Sequence, residues 1–191
     1  KFVFSSTSAV YGNSSESVLT EGMPASPLSF YGLSKLAAER YITLYHDLFS
    51  IPYTILRYGN VYGPRQTAKG EGGVIAVFTD KLSRGESLKV NGDGLQTRDY
   101  VYVQDIVSAN MAAGRAPDVG TFVVGTGIPT SLLDVIKILE TSTGKSIPYV
   151  HGQDRPGDIK HSCLDPALIN RILGWTPRYN MDMGISETLR R

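Results

Sequence analysis

Short apolar runs of strand length alternate along this chain with stretches in which apolar residues recur every three to four positions. That alternation restricts it to an α/β architecture with a mainly parallel sheet. The first run, Phe2-Val3-Phe4, passes straight into hydroxyls at Ser5, Ser6 and Thr7. From 29 to 49 the period is helical, through Leu33, Leu36, Ala37, Tyr41, Leu44, Tyr45 and Leu48, and Ile51-Pro52 stops it. The pattern predicts a strand over 53–58, a helix over 74–84, a strand over 87–90 and a turn at Asn91-Gly92-Asp93-Gly94. It then predicts an extended segment over 100–103, a helix over 106–114 capped by Asp105, and a buried strand over 120–125. Helices over 131–142, 166–173 and 181–189 follow, with an extended piece over 148–151.

With 191 residues the chain can bury a sizeable core as one domain or two small ones. A net charge of +1 gives no general attraction to nucleic acid or to an anionic membrane. The lone cysteine, Cys163, cannot form an internal disulfide. No apolar run approaches bilayer length and no signal-peptide pattern opens the chain, so the expectation is a soluble, cytoplasmic protein. His46, His151 and His161 share no metal-ligand spacing and read as one helix-surface residue and two loop residues. Because Lys1-Phe2-Val3-Phe4 begins inside what reads as a strand, the chain is expected to be a fragment.

The chemistry concentrates in Tyr31-Gly32-Leu33-Ser34-Lys35. Residues four apart lie one above the other on a helix, so Tyr31 and Lys35 share a face. A phenol is a poor base at neutral pH unless positive charge beside it stabilises the phenolate, and an ammonium one turn away supplies that charge. Such a phenolate can take a proton from a sugar hydroxyl while a third hydroxyl, from Thr7 or Ser6, holds the reacting oxygen in line. By itself the pair also fits an amphipathic helix with one packed aromatic and one solvated lysine. The order of elements separates the two: strand, hydroxyl cluster, Val10-Tyr11-Gly12, polar loop, then the Tyr-x-x-x-Lys helix.

In that order the chain resembles the extended short-chain dehydrogenase/reductase family, in particular its nucleotide-sugar epimerases and dehydratases. The resemblance runs along the whole chain. Phe4 to Gly12 is similar to the family's catalytic-hydroxyl strand, with Thr7 at the Ser/Thr position, and Tyr31 and Lys35 match the catalytic tyrosine and lysine. The resemblance implies NAD as cofactor, contacted by Tyr31, Lys35 and Tyr58. Arg57-Tyr58-Gly59-Asn60-Val61-Tyr62-Gly63-Pro64-Arg65-Gln66 is similar to the loop that sets an asparagine, Asn60, on the substrate diphosphate. Asn91 to Val103 resembles the segment whose arginine, Arg98, binds that diphosphate, and Arg155-Pro156-Gly157-Asp158 the element whose Arg155 and Asp158 grip diphosphate and ribose. Val74, Lys89 and Val90 match positions that wrap uridine, partly by backbone. Local alternatives stay open: Arg98 and Arg155 can pair with Asp99 and Asp154, Arg57 can pair locally, and the two valines can be core.

Family dehydratases carry an acidic pair directly after the catalytic hydroxyl, and decarboxylases a glutamate; here those positions are Ser8 and Ala9. The expected reaction is therefore 4-epimerisation of a UDP-sugar, with a decarboxylase, a 4,6-dehydratase or a non-catalytic nucleotide-sugar binding fragment as alternatives. Ser162 matches a position beside the sugar 2-substituent, where a small side chain leaves room for an N-acetyl group; an ordinary loop residue is the other reading. The family's Gly-x-x-Gly-x-x-Gly phosphate loop is missing. Gly70-Glu71-Gly72-Gly73 and Gly92-Asp93-Gly94 do not follow a first strand, and read as loop and turn. The expectation is thus the C-terminal portion of a Rossmann-type parallel sheet lacking its first βα units, plus a small mixed α/β substrate domain. Segments 1–62 and 96–126 would form the NAD-side remnant, and 63–95 with 127–191 the nucleotide-sugar side. Such a chain alone is expected to be inactive, and its full-length parent a homodimer that takes a UDP-sugar and needs no metal.

Overall fold

In a computed structural model of the chain, the residues described are 1–14, 16–69, 73–117, 120–154 and 159–190. In chain order they form β1 (Phe2–Thr7), a 3-10 turn (Ser8–Tyr11), α1 (Phe30–Phe49), β2 (Tyr53–Tyr58), β3 (Asn60–Tyr62), α2 (Val74–Ser83), β4 (Leu88–Asn91) and β5 (Thr97–Tyr102). Then follow α3 (Val103–Arg115), β6 (Gly120–Val124), β7 (Pro129–Ser131), α4 (Leu132–Thr143), β8 (Tyr149–Gly152), α5 (Ala167–Leu173) and α6 (Met181–Leu189).

Strands β1, β2 and β6 make a parallel sheet in the order β1-β2-β6, with Ser6 opposite Arg57 and Thr7 opposite Tyr58. A second sheet runs β3-β5-β7, parallel on one side and antiparallel on the other, and β4 pairs β8 in parallel. Strand β5 serves two cores, because successive side chains point to opposite faces. Tyr100 and Tyr102 join Phe78, Leu88 and Ile136 in one; Val101 joins Leu56, Ile106 and Trp175 in the other. Strong patterns thus give an α/β fold as expected, with three small sheets among the described residues.

The helix starts follow local chemistry. The Ser29 hydroxyl accepts from Gly32 N at 3.0 Å, Asn180 caps α6, and Ser131 with Asp134 forms a capping box on α4. Asp105 departs from its expected role. Helix α3 starts earlier, at Val103, with no side-chain cap. The buried Asp105 carboxylate instead accepts the backbone N–H groups of Arg178 (2.9 Å) and Tyr179 (3.1 Å), tying in the C-terminal segment. His151 lies in β8 and not in a loop, its Nδ1 2.7 Å from Gly92 O. Gly92 and Gly94 take the left-handed conformation of a turn, as their spacing predicts.

The apolar repeat of α1 faces outward: Tyr41 is 67% and Leu48 64% exposed, while Gly32 and Glu39 are the buried positions. Phe2, Tyr41, Tyr45 and Ile51 border an apolar hollow of about 300 Å³ beside β1, which lies at the edge of its sheet. Among the described residues no helix is long and apolar enough to cross a membrane.

Candidate active site

An open cleft of about 530 Å³ lies where the C-terminal end of the β1-β2-β6 sheet meets the start of α1 and the loop after β3. Open α/β sheets place ligand sites at the carboxyl ends of their strands. Thr7 and Tyr31 line one side; Tyr58, Asn60, Arg98 and Ser162 line the rest. Six of the residues singled out from sequence therefore meet on one cavity, although they span β1, α1, β2, β3, β5 and the segment before α5.

Thr7 ends β1 and caps the following turn, its Oγ1 accepting from Ala9 N at 3.2 Å. Tyr31 sits in the first turn of α1, 46% exposed, and lines the cleft. Lys35 follows one turn later. Its Nζ donates to Ser5 O at 2.9 Å and lies 5.9 Å from the Tyr31 ring centroid. An ammonium has three N–H groups, so one bond to Ser5 leaves donors for a further acceptor. Gly32 permits this approach of helix to strand. A Cβ there would lie 2.6 Å from Ala9 O, so any larger residue pushes α1 off the hydroxyl turn. The Tyr58 hydroxyl accepts from Asn110 Nδ2 at 2.8 Å and stands 3.0 Å from Ser5 Oγ.

Behind the cleft lies a buried charged cluster. Arg57 donates to Glu39 through Nε (3.0 Å) and Nη2 (2.6 Å), and Nη1 donates to the Tyr11 hydroxyl at 2.9 Å. Glu39 also accepts from the Ser6 hydroxyl. Burial works against the guanidinium's charge, but the Glu39 and Tyr11 contacts outweigh it and hold Arg57 above its ordinary pKa. Burial raises the Tyr11 phenol, which Arg57 partly offsets. Arg57 thus pairs across elements, not with a sequence neighbour. Asp99 is also committed elsewhere: Thr126 N and Oγ1, Gly127 N and Leu164 N all donate to its carboxylate, at 2.7–3.1 Å. Burial pushes that carboxyl up and the same donors pull it down. Arg98 instead donates from Nη1 to Thr97 O at 2.8 Å while lining the cleft.

The remaining positions lie elsewhere. Val90 is fully buried in the Tyr62–Phe78 core, Val74 packs against that core at the start of α2, and Lys89 is exposed on β4. Arg155 and Asp158 fall outside the described residues. Two contributors escape the sequence reading. Glu39 was visible as the next residue after Tyr31 and Lys35 at a spacing of four, but its partner Arg57 is a tertiary choice. Gln66 lines the cleft; its Nε2 donates to Val61 O at 3.2 Å, and its buried Oε1 has no hydrogen-bond partner among the described residues.

A hydroxyl, a phenol and an ammonium thus gather at the carboxyl end of a parallel sheet, and the class this defines is an α/β protein with its cleft at the strand ends. Residues 1–125 match the family model described as the NAD dependent epimerase/dehydratase family, and the chain belongs to that family. UDP-glucose 4-epimerase of Mycolicibacterium smegmatis is 37% identical over 97% of this chain and 59% of its own length. Among solved structures, UDP-glucose 4-epimerase of Thermotoga maritima with UDP-glucose superimposes with a TM-score of 0.94 at 39% identity, over 98% of this chain and 62% of that one. UDP-N-acetylglucosamine 4-epimerase of Methanobrevibacter ruminantium M1, in complex with UDP-N-acetylmuramic acid, gives a TM-score of 0.95 at 32% identity, over 98% and 61%. The chain spans about three fifths of the length of these relatives.

Proposed function

We propose that the protein is an NAD-dependent 4-epimerase of UDP-sugars. The observation that carries this reading is the convergence of Thr7 and Tyr31 with Asn60, Arg98 and Ser162 on one cleft. The donor set fits the nicotinamide riboside end of NAD: Lys35 retains ammonium donors suited to a ribose diol, and the Tyr31 phenol stands open beside it. When bound, NAD supplies the hydride acceptor and donor. Tyr31 Oη takes the proton of the sugar 4-hydroxyl and later returns it, while Lys35 stabilises the phenolate. Thr7 Oγ1 holds that hydroxyl in line. Arg98 offers a planar donor fork to the diphosphate and Asn60 an amide.

Ser8 and Ala9 also line the cleft, at the positions where family dehydratases carry acids. Neither can protonate a leaving hydroxyl, which supports epimerisation over dehydration. In the division of labour we propose, 1–62 and 96–126 serve the cofactor while 63–95 and 127–191, including Val74, Lys89, Val90, Arg155 and Asp158, hold the UDP-sugar, in a cytoplasmic enzyme. The test is to incubate the full-length protein with NAD and UDP-glucose and follow UDP-galactose by proton NMR. Appearance of the 4-epimer supports the reading. UDP binding by calorimetry without turnover moves it to a nucleotide-sugar binding protein.

A further inference from the structure

The buried Glu39–Arg57 ion pair takes no part in the proton transfer, yet it joins the two halves of the centre. Glu39 lies one turn beyond Lys35 and two beyond Tyr31 on the same helix face. Its carboxylate binds the Ser6 hydroxyl on β1 and Arg57 on β2, which are register partners in the sheet. Arg57 reaches on to the Tyr11 hydroxyl, with its guanidinium carbon 4.9 Å from the Tyr11 ring centroid. Segment 6–11, which carries Thr7, is therefore bonded at both ends to one ion pair. The carboxylate of that pair sits on the helix that carries Tyr31. A buried pair is weak support for stability as such, because apolar replacement of both partners is often neutral. What apolar side chains cannot reproduce is the directed bonding of four groups from β1, the 3-10 turn, α1 and β2.

We propose that Glu39, Arg57 and Tyr11 are positioning residues that hold the Thr7 hydroxyl in register with the Tyr31 phenol. The inference rests on the reading of the cleft as a proton-transfer site. Two variants of the full-length protein test it: Tyr11→Phe, which keeps the ring, and the paired replacement of Glu39 and Arg57 by methionine, which keeps the volume. Each is compared with the unaltered protein by amide hydrogen exchange and by steady-state kinetics. Exchange across 7–12 should rise about tenfold against the core amides of Leu56 and Val101, the scale of one lost charge-assisted bond. The kcat should fall about tenfold with KM for the UDP-sugar within about twofold. Unchanged exchange over 7–12, or an equal rise at Leu56 and Val101, overturns the proposal. So does unchanged kcat in an active protein. If the unaltered protein shows no turnover, the epimerase reading fails, and the exchange pattern still decides whether the pair anchors the turn.

Discussion

At the scale of single residues, the proposed proton transfer requires a phenol that is reachable and an ammonium that stays beside it. Tyr31 is half exposed at the start of α1, and Lys35 is held by Ser5 O. Tyr31→Phe removes only the hydroxyl, so the full-length protein should lose about 100-fold or more in kcat with KM little changed, measured by NMR turnover. Retained activity would move the base elsewhere. Ser162 is buried at the cleft wall. Ser162→Tyr should fill the space beside the sugar and suppress turnover of UDP-GlcNAc far more than of UDP-glucose; equal losses on both would remove Ser162 from specificity. The neighbouring Cys163 is a different case. Burial, with Asp99 nearby, pushes its thiol up to about 11, so at pH 7 it stays protonated. Native protein should therefore react with a thiol reagent far more slowly than urea-unfolded protein.

At the scale of elements, two contacts decide whether helices sit where the chemistry needs them. Gly32 lets the first turn of α1 touch the hydroxyl turn. Alanine is the better helix former by about 1 kcal/mol, but its Cβ would fall 2.6 Å from a backbone oxygen that cannot swing away. The clash should win, so Gly32→Ala should lower the melting temperature; a rise would show that α1 can slide. Asp105 ties α3 to the segment before α6 through two backbone N–H groups. Asp105→Ala leaves both without their acceptor and should cost about 3 kcal/mol, read as a lower urea midpoint. The helix pattern itself was legible for α1, α4 and α6, because period and caps are local. The role of Asp105 was not. A short-range cap was expected from an acid before a helical run, and a partner 73 residues away took the carboxylate instead.

At the scale of the whole molecule, one face remains apolar and open. The stripe of α1 with Tyr41, Leu44 and Leu48, next to Phe2, is exposed beside an edge strand. Contiguous apolar surface of this kind favours association. The 191 residues alone should therefore elute above monomer mass in light-scattering chromatography, and Leu44→Glu with Leu48→Glu should restore the monomer. No Gly-x-x-Gly-x-x-Gly loop occurs within them. Incubated with NAD and UDP-glucose, these residues by themselves should give negligible epimerisation.

The sequence by itself determined the alternation of strands and helices, most element positions to within a few residues, and the order of motifs that points to one family. Those features depend on neighbours along the chain, through period, caps and turn residues. Only the tertiary structure decided that the long repeat of α1 turns outward, that Asp99 and Asp105 are internal staples, and that Glu39 pairs with Arg57 beneath the cleft. Which buried carboxylate meets which donor depends on strand register and helix rotation, because a charge leaves water only where a distant element brings its partner.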